Sequence, residues 1–307
     1  ARHPKKSSRH LLAPKQMRFQ FIEEHRGEFP VKLMCKVLGV STSGYYAWRD
    51  RPPSKREMAN QALTAKIQEE FKKSGETYGS PRIYQVMRKL GLMCSPKRVA
   101  RLMRAADLKA KQTRRYRSTT KRNKADRAAP NRLKRDFSAT APNRKWVTDI
   151  TYIATQEGWL YLAAIMDLFS RRIVGWAMSK RMTSDLTLRA LDMAICRCRP
   201  ESGLIHHSDQ GSQYTDSEYQ AVLAAHSIVA SMNGAGTWYD NAPMESFFGT
   251  LKSELVHHRA YRTRAEASPD LFYYIEAWYN RRRLHSALGY ESPETYEQLY
   301  HNNTIRA

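Results

Sequence analysis

The chain is 307 residues long, enough for roughly two or three compact domains, and its 41% hydrophobic and 10% aromatic content is that of an ordinary globular protein. Lys and Arg number 52 against 29 Asp and Glu, a formal charge of +23 that exceeds what solubility requires and calls for a polyanionic partner. No apolar run reaches the roughly 18 residues needed to cross a bilayer, so of the two polyanions a membrane surface gives way to nucleic acid.

The basic start, Ala1 to Lys6, lacks the apolar core of an export signal, and since it is not Met a trimmed, processed or fused product is expected. Cys35, Cys94, Cys196 and Cys198 are too few and too irregular for a disulfide framework and have no zinc spacing, which fits a reducing cytoplasm. From Val31 to Leu38 apolar residues recur at helical spacing, Gly39-Val40-Ser41 breaks the pattern, and Thr42 to Trp48 resumes it: helix, turn, helix. The device repeats with a helix over Ser80 to Leu90, a turn over Gly91 to Cys94, and a helix capped by Ser95-Pro96. On that last helix Lys97, Arg98, Arg101 and Arg104 flank the apolar stripe, where a recognition helix presents cations to DNA; a solvated basic face on a packing unit is the plainer reading. Between Lys109 and Lys145, 14 Lys or Arg face only Asp126 and Asp136, a local charge of +12 with almost no apolar periodicity. The expectation is a linker that follows a phosphate backbone, with Arg114, Arg115 and Arg117 among its contacts.

Beyond Pro142 the pattern turns to strands over Lys145 to Thr155, Leu160 to Leu168 and Arg171 to Ser179, a meander. A helix from Ser184 to Arg197, a strand Leu204 to Ser208, a helix Asp216 to Ala225, a strand Ile228 to Met232 and helices Asn241 to Val256 and Arg264 to Asn280 follow. Three strands and then alternating helices and strands is the order of a ribonuclease-H-like α/β fold. The expected class is that domain, a mixed five-stranded sheet with helices, preceded by all-α helix-turn-helix units. Its boundaries are 1–54 and 55–108 for the helical units, 109–142 for the linker, 143–260 for the catalytic core and 261–307 for a helical extension.

Asp149 interrupts an apolar strand, where an unpaired carboxylate is costly. Asp209 ends another strand and opens a loop, and Glu245 stands near the start of a helix for which Asn241 or Asp240 is the cap and Pro243 a first-turn residue. Lys252, two turns on, shares a face with Glu245 and points the same way toward phosphate. Each acid singly has an ordinary reading as a cap, turn residue or ion-pair partner. Together, three converging carboxylates in a basic protein suit two divalent cations, magnesium with manganese as substitute, for phosphodiester chemistry.

The segments Trp146-Val147-Thr148-Asp149-Ile150-Thr151, His207 to Tyr214 and Asp240 to Lys252 resemble the three acidic motifs of the bacterial insertion-sequence transposases of the IS-three family and, more distantly, those of retroviral integrases. So does the interval of 35 residues between Asp209 and Glu245 (245 − 209 − 1), as do Tyr78 to Ile83 and the run Trp278 to Tyr290. The resemblance implies Asp149, Asp209 and Glu245 as catalytic, metal-holding residues. It also implies a DNA substrate with terminal inverted repeats, a target DNA, circular intermediates and at least a dimer for synapsis of two ends. It casts the chain as the downstream, catalytic part of a frameshift fusion, with an upstream helix-turn-helix segment as partner and a bacterial, nucleoid-associated location.

One departure lies in Asn233 to Trp238, which lacks the family's basic residue and carries an indole in place of a small residue; core packing and stacking on an unpaired base are both open to Trp238. At most one of His206 and His207, on opposite faces of a strand, can point to the site. Asp167 reads as a structural partner of Arg171 or Arg172, and Arg281, Arg282 and Arg283 as a phosphate-facing stripe or a solvated helix end. Two other classes remain open: a non-catalytic DNA-binding regulator, and a simple nuclease of the same fold.

Overall fold

The computed structural model describes residues 14–111, 129–233 and 241–306, and the chain divides into two compact units, Ala1–Ala65 and Lys66–Ala307. In the first, α1 (Lys15–His25), α2 (Val31–Val37) and α3 (Thr42–Arg49) enclose Ile22, Met34, Cys35, Leu38 and Tyr45. The turn between α2 and α3 needs Gly39, whose φ of +64° is open to few side chains, and Ser41 then caps α3 by accepting from the Gly44 amide at 3.0 Å. The helix-turn-helix read from the periodicity is present; α1, with few apolar positions, carries no such signal.

A long helix, α4 (Lys55–Lys73), leads into the second unit, where α5 (Ser80–Lys89) and α6 (Pro96–Ala105) bury Ile83, Met87, Val99, Leu102 and Met103 between them. Their turn is the expected one, with Ser95 Oγ accepting from the Arg98 amide at 3.2 Å. This pair is docked on the carboxyl-terminal segment of its own unit. The Tyr78 hydroxyl accepts from the Leu284 amide (2.8 Å) and Arg82 Nε donates to the Leu284 carbonyl (3.0 Å), while Lys89 Nζ donates to the Tyr290 carbonyl (2.9 Å) and pairs with Glu291 (2.6 Å).

The sheet has the order β3-β2-β1-β4-β5, built from β1 (Lys145–Thr155), β2 (Gly158–Asp167), β3 (Ile173–Ser179), β4 (Ile205–Ser208) and β5 (Val229–Met232). The first three form the antiparallel meander, and β4 and β5 join β1 in parallel, giving the mixed five-stranded ribonuclease-H-like sheet. α7 (Ser184–Cys198) packs on β2 and β3 through Leu186, Ala190, Leu191 and Ala194, and shares its core with Tyr219 and Leu223 of α9 (Ser217–Ala225), which follows the short α8 (Ser212–Thr215). The opposite core joins Val147, Ile153 and Leu162 to Met244, Phe247 and Leu251 of α10 (Ala242–Glu254) and to Ala267 and Leu271 of α11 (Arg264–Phe272). Among the described residues no helix is long and apolar enough to cross a membrane.

Three expectations need correction. β3 begins at Ile173, not Arg171, because Arg171 takes a φ of +59° in the turn before it. The helix expected to run unbroken to Asn280 changes to π-geometry over Tyr273–Tyr279, and the wider turn brings Asn280 against β3, where its amide pairs with both the N–H and the carbonyl of Ile173 (2.9 and 3.0 Å). Residues 129–142, the end of the expected linker, lie on the core: Leu133 is buried in the same cluster as Val147, Phe137 and Ala139 pack there, and the Arg132 amide donates to Ser231 Oγ at 2.9 Å. The earlier linker arginines Arg114, Arg115 and Arg117 lie outside the described residues. A final helix, α12 (Pro293–Arg306), lies within the stretch 261–307 expected as a helical extension.

Gly175 of β3 lies so close to α7 that a Cβ there would stand 2.2 Å from the Ala190 carbonyl oxygen and 2.8 Å from the Ala194 amide nitrogen, both backbone atoms that cannot swing away. Gly175→Ala is therefore expected to lower stability by about 1–3 kcal/mol or more in urea denaturation, by forcing helix and sheet apart. Arg283, 7% exposed at its side chain, pairs bidentately with the equally buried Glu254, whose carboxylate also accepts from the Tyr274 hydroxyl. Arg283→Ala strands that carboxylate and should cost about 3–5 kcal/mol in the same experiment.

Candidate active site

Asp149 stands at the middle of β1, on the face that carries Val147 and Ile153 against α10. Its Oδ1 accepts from the Ile150 amide at 2.8 Å. Burial, then the neighbouring Asp209 carboxylate and more weakly Glu245, push its carboxyl up to about 7, against the opposing pull of the Ile150 amide and of Lys252. Asp209 follows β4 directly, its Oδ1 accepting from the Gly211 amide at 3.0 Å, and burial raises its carboxyl too. The parallel pairing of β4 with β1 through Val147 and His207 brings these two acids to neighbouring strand positions. Glu245 is exposed on the first turn of α10.

The three acids thus share one electrostatic neighbourhood, but among the described residues no three His, Cys, Asp or Glu stand close enough together to hold a metal ion. Like charges with no cation between them repel, which is the physical reason for an open arrangement. The donor chemistry itself fits a hard divalent cation: every donor is a carboxylate, and each Asp has one oxygen tied to a backbone amide.

The surroundings hold these acids in place. Tyr214, fully buried, has its hydroxyl 3.3 Å from Thr148 Oγ1, and burial together with Asp149 and Asp209 raises its phenol well above the usual range, so it stays a neutral hydrogen-bonding group. Asn241 makes no capping bond; its Nδ2 donates to the Thr148 carbonyl at 3.0 Å and ties the start of α10 to β1. Its Oδ1 is a buried acceptor without a partner among the described residues. Asp240, the other cap proposed from sequence, and Trp238 lie outside the described residues. Neither Tyr214 nor Asn241 was singled out for this role, since nothing in a linear pattern says that they meet at Thr148.

Both histidines of β4 are buried. His206 Nε2 lies 2.7 Å from the Tyr219 hydroxyl, and burial holds the ring neutral with its pKa lowered to about 3. His207 Nε2 lies 2.6 Å from Asn233 Oδ1 and its Nδ1 2.8 Å from Ser231 Oγ, while Gln210 Nε2 reaches the Asn233 carbonyl at 2.7 Å, so the network braces the loop after Asp209. Asp167 is a structural acid as expected, but its carboxylate accepts the backbone amides of Asn143 and Phe169, both at 2.6 Å, while Arg172 pairs with Glu297.

Of the cations expected on DNA, Lys97, Arg101 and Arg104 are exposed along α6, and Arg98 is half-buried. Arg282 is exposed and Arg281 pairs at the surface with Glu294. Arg283 is corrected: its guanidinium is committed to Glu254 inside the fold and cannot face phosphate. Lys252 is largely buried, its Nζ 4.8 Å from the centre of the Tyr152 ring, and desolvation lowers its pKa while Tyr152 and Asp149 support its charge.

Because Asp149's carboxyl is raised to about 7 from 3.8, its charged form is carried at a cost above that pH and not below the unfolded value. Asp149→Asn should therefore raise the urea midpoint of the metal-free protein at pH 8, with the gain shrinking as pH falls through 7 and vanishing below about 4.

Two integrase core domain family models match the chain, over residues 139–237 and 245–299, and an HTH-like domain model matches 58–116. The first covers Asp149 and Asp209, and the second opens on Glu245. A 31 kDa protein of insertion element IS600 from Shigella sonnei is 46% identical over 87% of this chain and 98% of its own length. The transposase InsF for insertion sequence IS3A of Escherichia coli is 42% identical over 92% and 98%. Among solved structures, the HTLV-2 integrase catalytic core in complex with magnesium is 18% identical, with a TM-score of 0.40 over 52% of this chain and 98% of that one. On the identity and coverage of these relatives, the chain belongs to the IS3 family of insertion-sequence transposases, enzymes built on an integrase core.

Proposed function

We propose that this transposase cleaves DNA at the ends of its insertion sequence and joins the freed strands, using Asp149, Asp209 and Glu245 to hold two magnesium ions, with manganese as an acceptable substitute. The observation that carries the reading is Asp149: a half-buried carboxylate inside β1 whose acidity is weakened first by desolvation, then by Asp209 and, less, by Glu245. Structural ion pairs do not bring three acids to bear on one another in a chain of charge +23. The ions, when bound, activate the attacking oxygen and stabilise the leaving one.

The chain's own residues do the rest. The Ile150 and Gly211 amides orient one oxygen of each Asp. Asn241 keeps the start of the Glu245 helix on β1, and Lys252 supplies a positive charge beside Asp149. The exposed Lys97, Arg101 and Arg104 of α6 suit phosphate and base edges of the terminal inverted repeats, Arg281 and Arg282 add exposed cations, and Arg114, Arg115 and Arg117, outside the described residues, add positive charge by sequence. Two ends held together call for two or more protomers, and a DNA substrate puts the protein on the bacterial nucleoid.

The test is incubation with labelled DNA carrying the element's own ends, in magnesium, in manganese and in chelator, alongside Asp209→Asn. Metal-dependent end cleavage with joined products, lost in the variant by a factor of about 10³ or more, is the expected outcome. Cleavage without joining would instead mark a nuclease, and binding without reaction a regulator.

A further inference from the structure

We propose that Tyr152 and Trp159 form a stacking platform for unpaired bases of the DNA strand entering the site, a role that rests on the transposase reading above. The two rings sit diagonally across the β1–β2 hairpin with centroids 4.8 Å apart and planes at 71°. They remain 40% and 49% exposed, too much for a pair whose purpose is core packing. Tyr152 is three residues from Asp149 on the same strand, about 10 Å of backbone and an odd interval that starts the two side chains on opposite faces; Lys252 links them, its ammonium 4.8 Å from the centre of the Tyr152 ring and its charge acting on Asp149.

The hairpin that carries the rings is fixed. The Gln156 amide donates to the Tyr261 carbonyl (3.1 Å), the Arg264 amide to Glu157 Oε1 (2.7 Å), and the Arg264 side chain to the carbonyls of Glu157 and Trp159 (both 2.8 Å). Gly158, at φ +113°, leaves no room for a Cβ beneath Arg264, which would lie 2.8 Å away. Loose surface aromatics pay an ordering cost on binding that this pair does not. Arg259 and Arg262 flank Tyr261, whose carbonyl holds the hairpin at Gln156, with side chains 60% and 79% exposed, each in a weak surface pair, so the segment that braces the hairpin carries two cations suited to phosphate. Exposed aromatics bordered by cations on a rigid support are what single-stranded nucleic acid stacks upon, whatever its sequence.

The test compares binding of the full chain, in magnesium-free buffer, to a blunt element-end duplex and to the same duplex with a short single-stranded extension. The extension should tighten binding, and 2-aminopurine placed in it should be quenched by the unaltered protein. Trp159→Leu should remove roughly fivefold or more of the affinity for extended DNA while leaving blunt DNA unchanged, and Trp159→Phe should restore most of it. Equal affinity of the unaltered protein for both DNAs, an unquenched probe, or equal weakening of both DNAs by Trp159→Leu would overturn the platform and leave the transposase reading standing. Failure to bind either DNA would overturn both.

Discussion

The organisation of the catalytic unit follows from the cost of keeping a carboxylate in the middle of a buried strand. Asp149 lies where burial and two further acids oppose its charge, and the structure around it offsets that cost with small, fixed contributions: the Ile150 amide, the Lys252 ammonium and a neutral layer of Thr148 and Tyr214 beneath. None of these neutralises the charge, which leaves a site whose unmet demand is for cations. The same electrostatics account for the spread of the acids, since carboxylates facing one another close up only when something positive stands between them.

The carboxyl-terminal segment is what gives this site a rigid frame. Its π-turn brings Asn280 onto the backbone of β3, and Arg283 locks onto Glu254 at the end of α10, the helix that carries Glu245 in its first turn. Leu284, just beyond, donates its amide to the Tyr78 hydroxyl and accepts the Arg82 guanidinium at its carbonyl. His285, packed near Arg82, Arg171 and Arg283, is held neutral by burial and by those charges, its pKa lowered to about 3. The α5–α6 pair, which carries the exposed cations of α6, is thus attached to the same short stretch of chain that braces α10. A helical unit that looks independent in sequence shares its footing with the core.

Most of the fold was legible because it rests on local periodicity. All five strands, α7 and α9 fall within a few residues of where alternation and turn residues place them, and β1 matches from Lys145 to Thr155, while the short α8 stands where a loop was expected. What escaped was decided by contacts between distant residues. The π-turn exists through Asn280 and Ile173, more than a hundred positions apart, and the docking of residues 129–142 rests on a few scattered apolar residues, Leu133, Phe137 and Ala139, amid charges. Arg283 shows the limit most sharply: in a run of three arginines beside a histidine every side chain looks like a phosphate ligand, and only packing distinguishes the one turned inward to Glu254.

By itself the sequence determined the charge of the chain, the order of its elements, and the identity and spacing of the three acids, because composition, period and interval are properties of the chain alone. Only the tertiary structure decided which side chains share an environment: that Asp209 and Glu245 act on Asp149, that Asn241 spans to β1 and does not cap its helix, and that two exposed aromatics meet on a braced hairpin with Lys252 over one of them. The physical reason is that electrostatic coupling and packing depend on distance through space, and strand pairing and helix docking bring together residues that the chain keeps far apart.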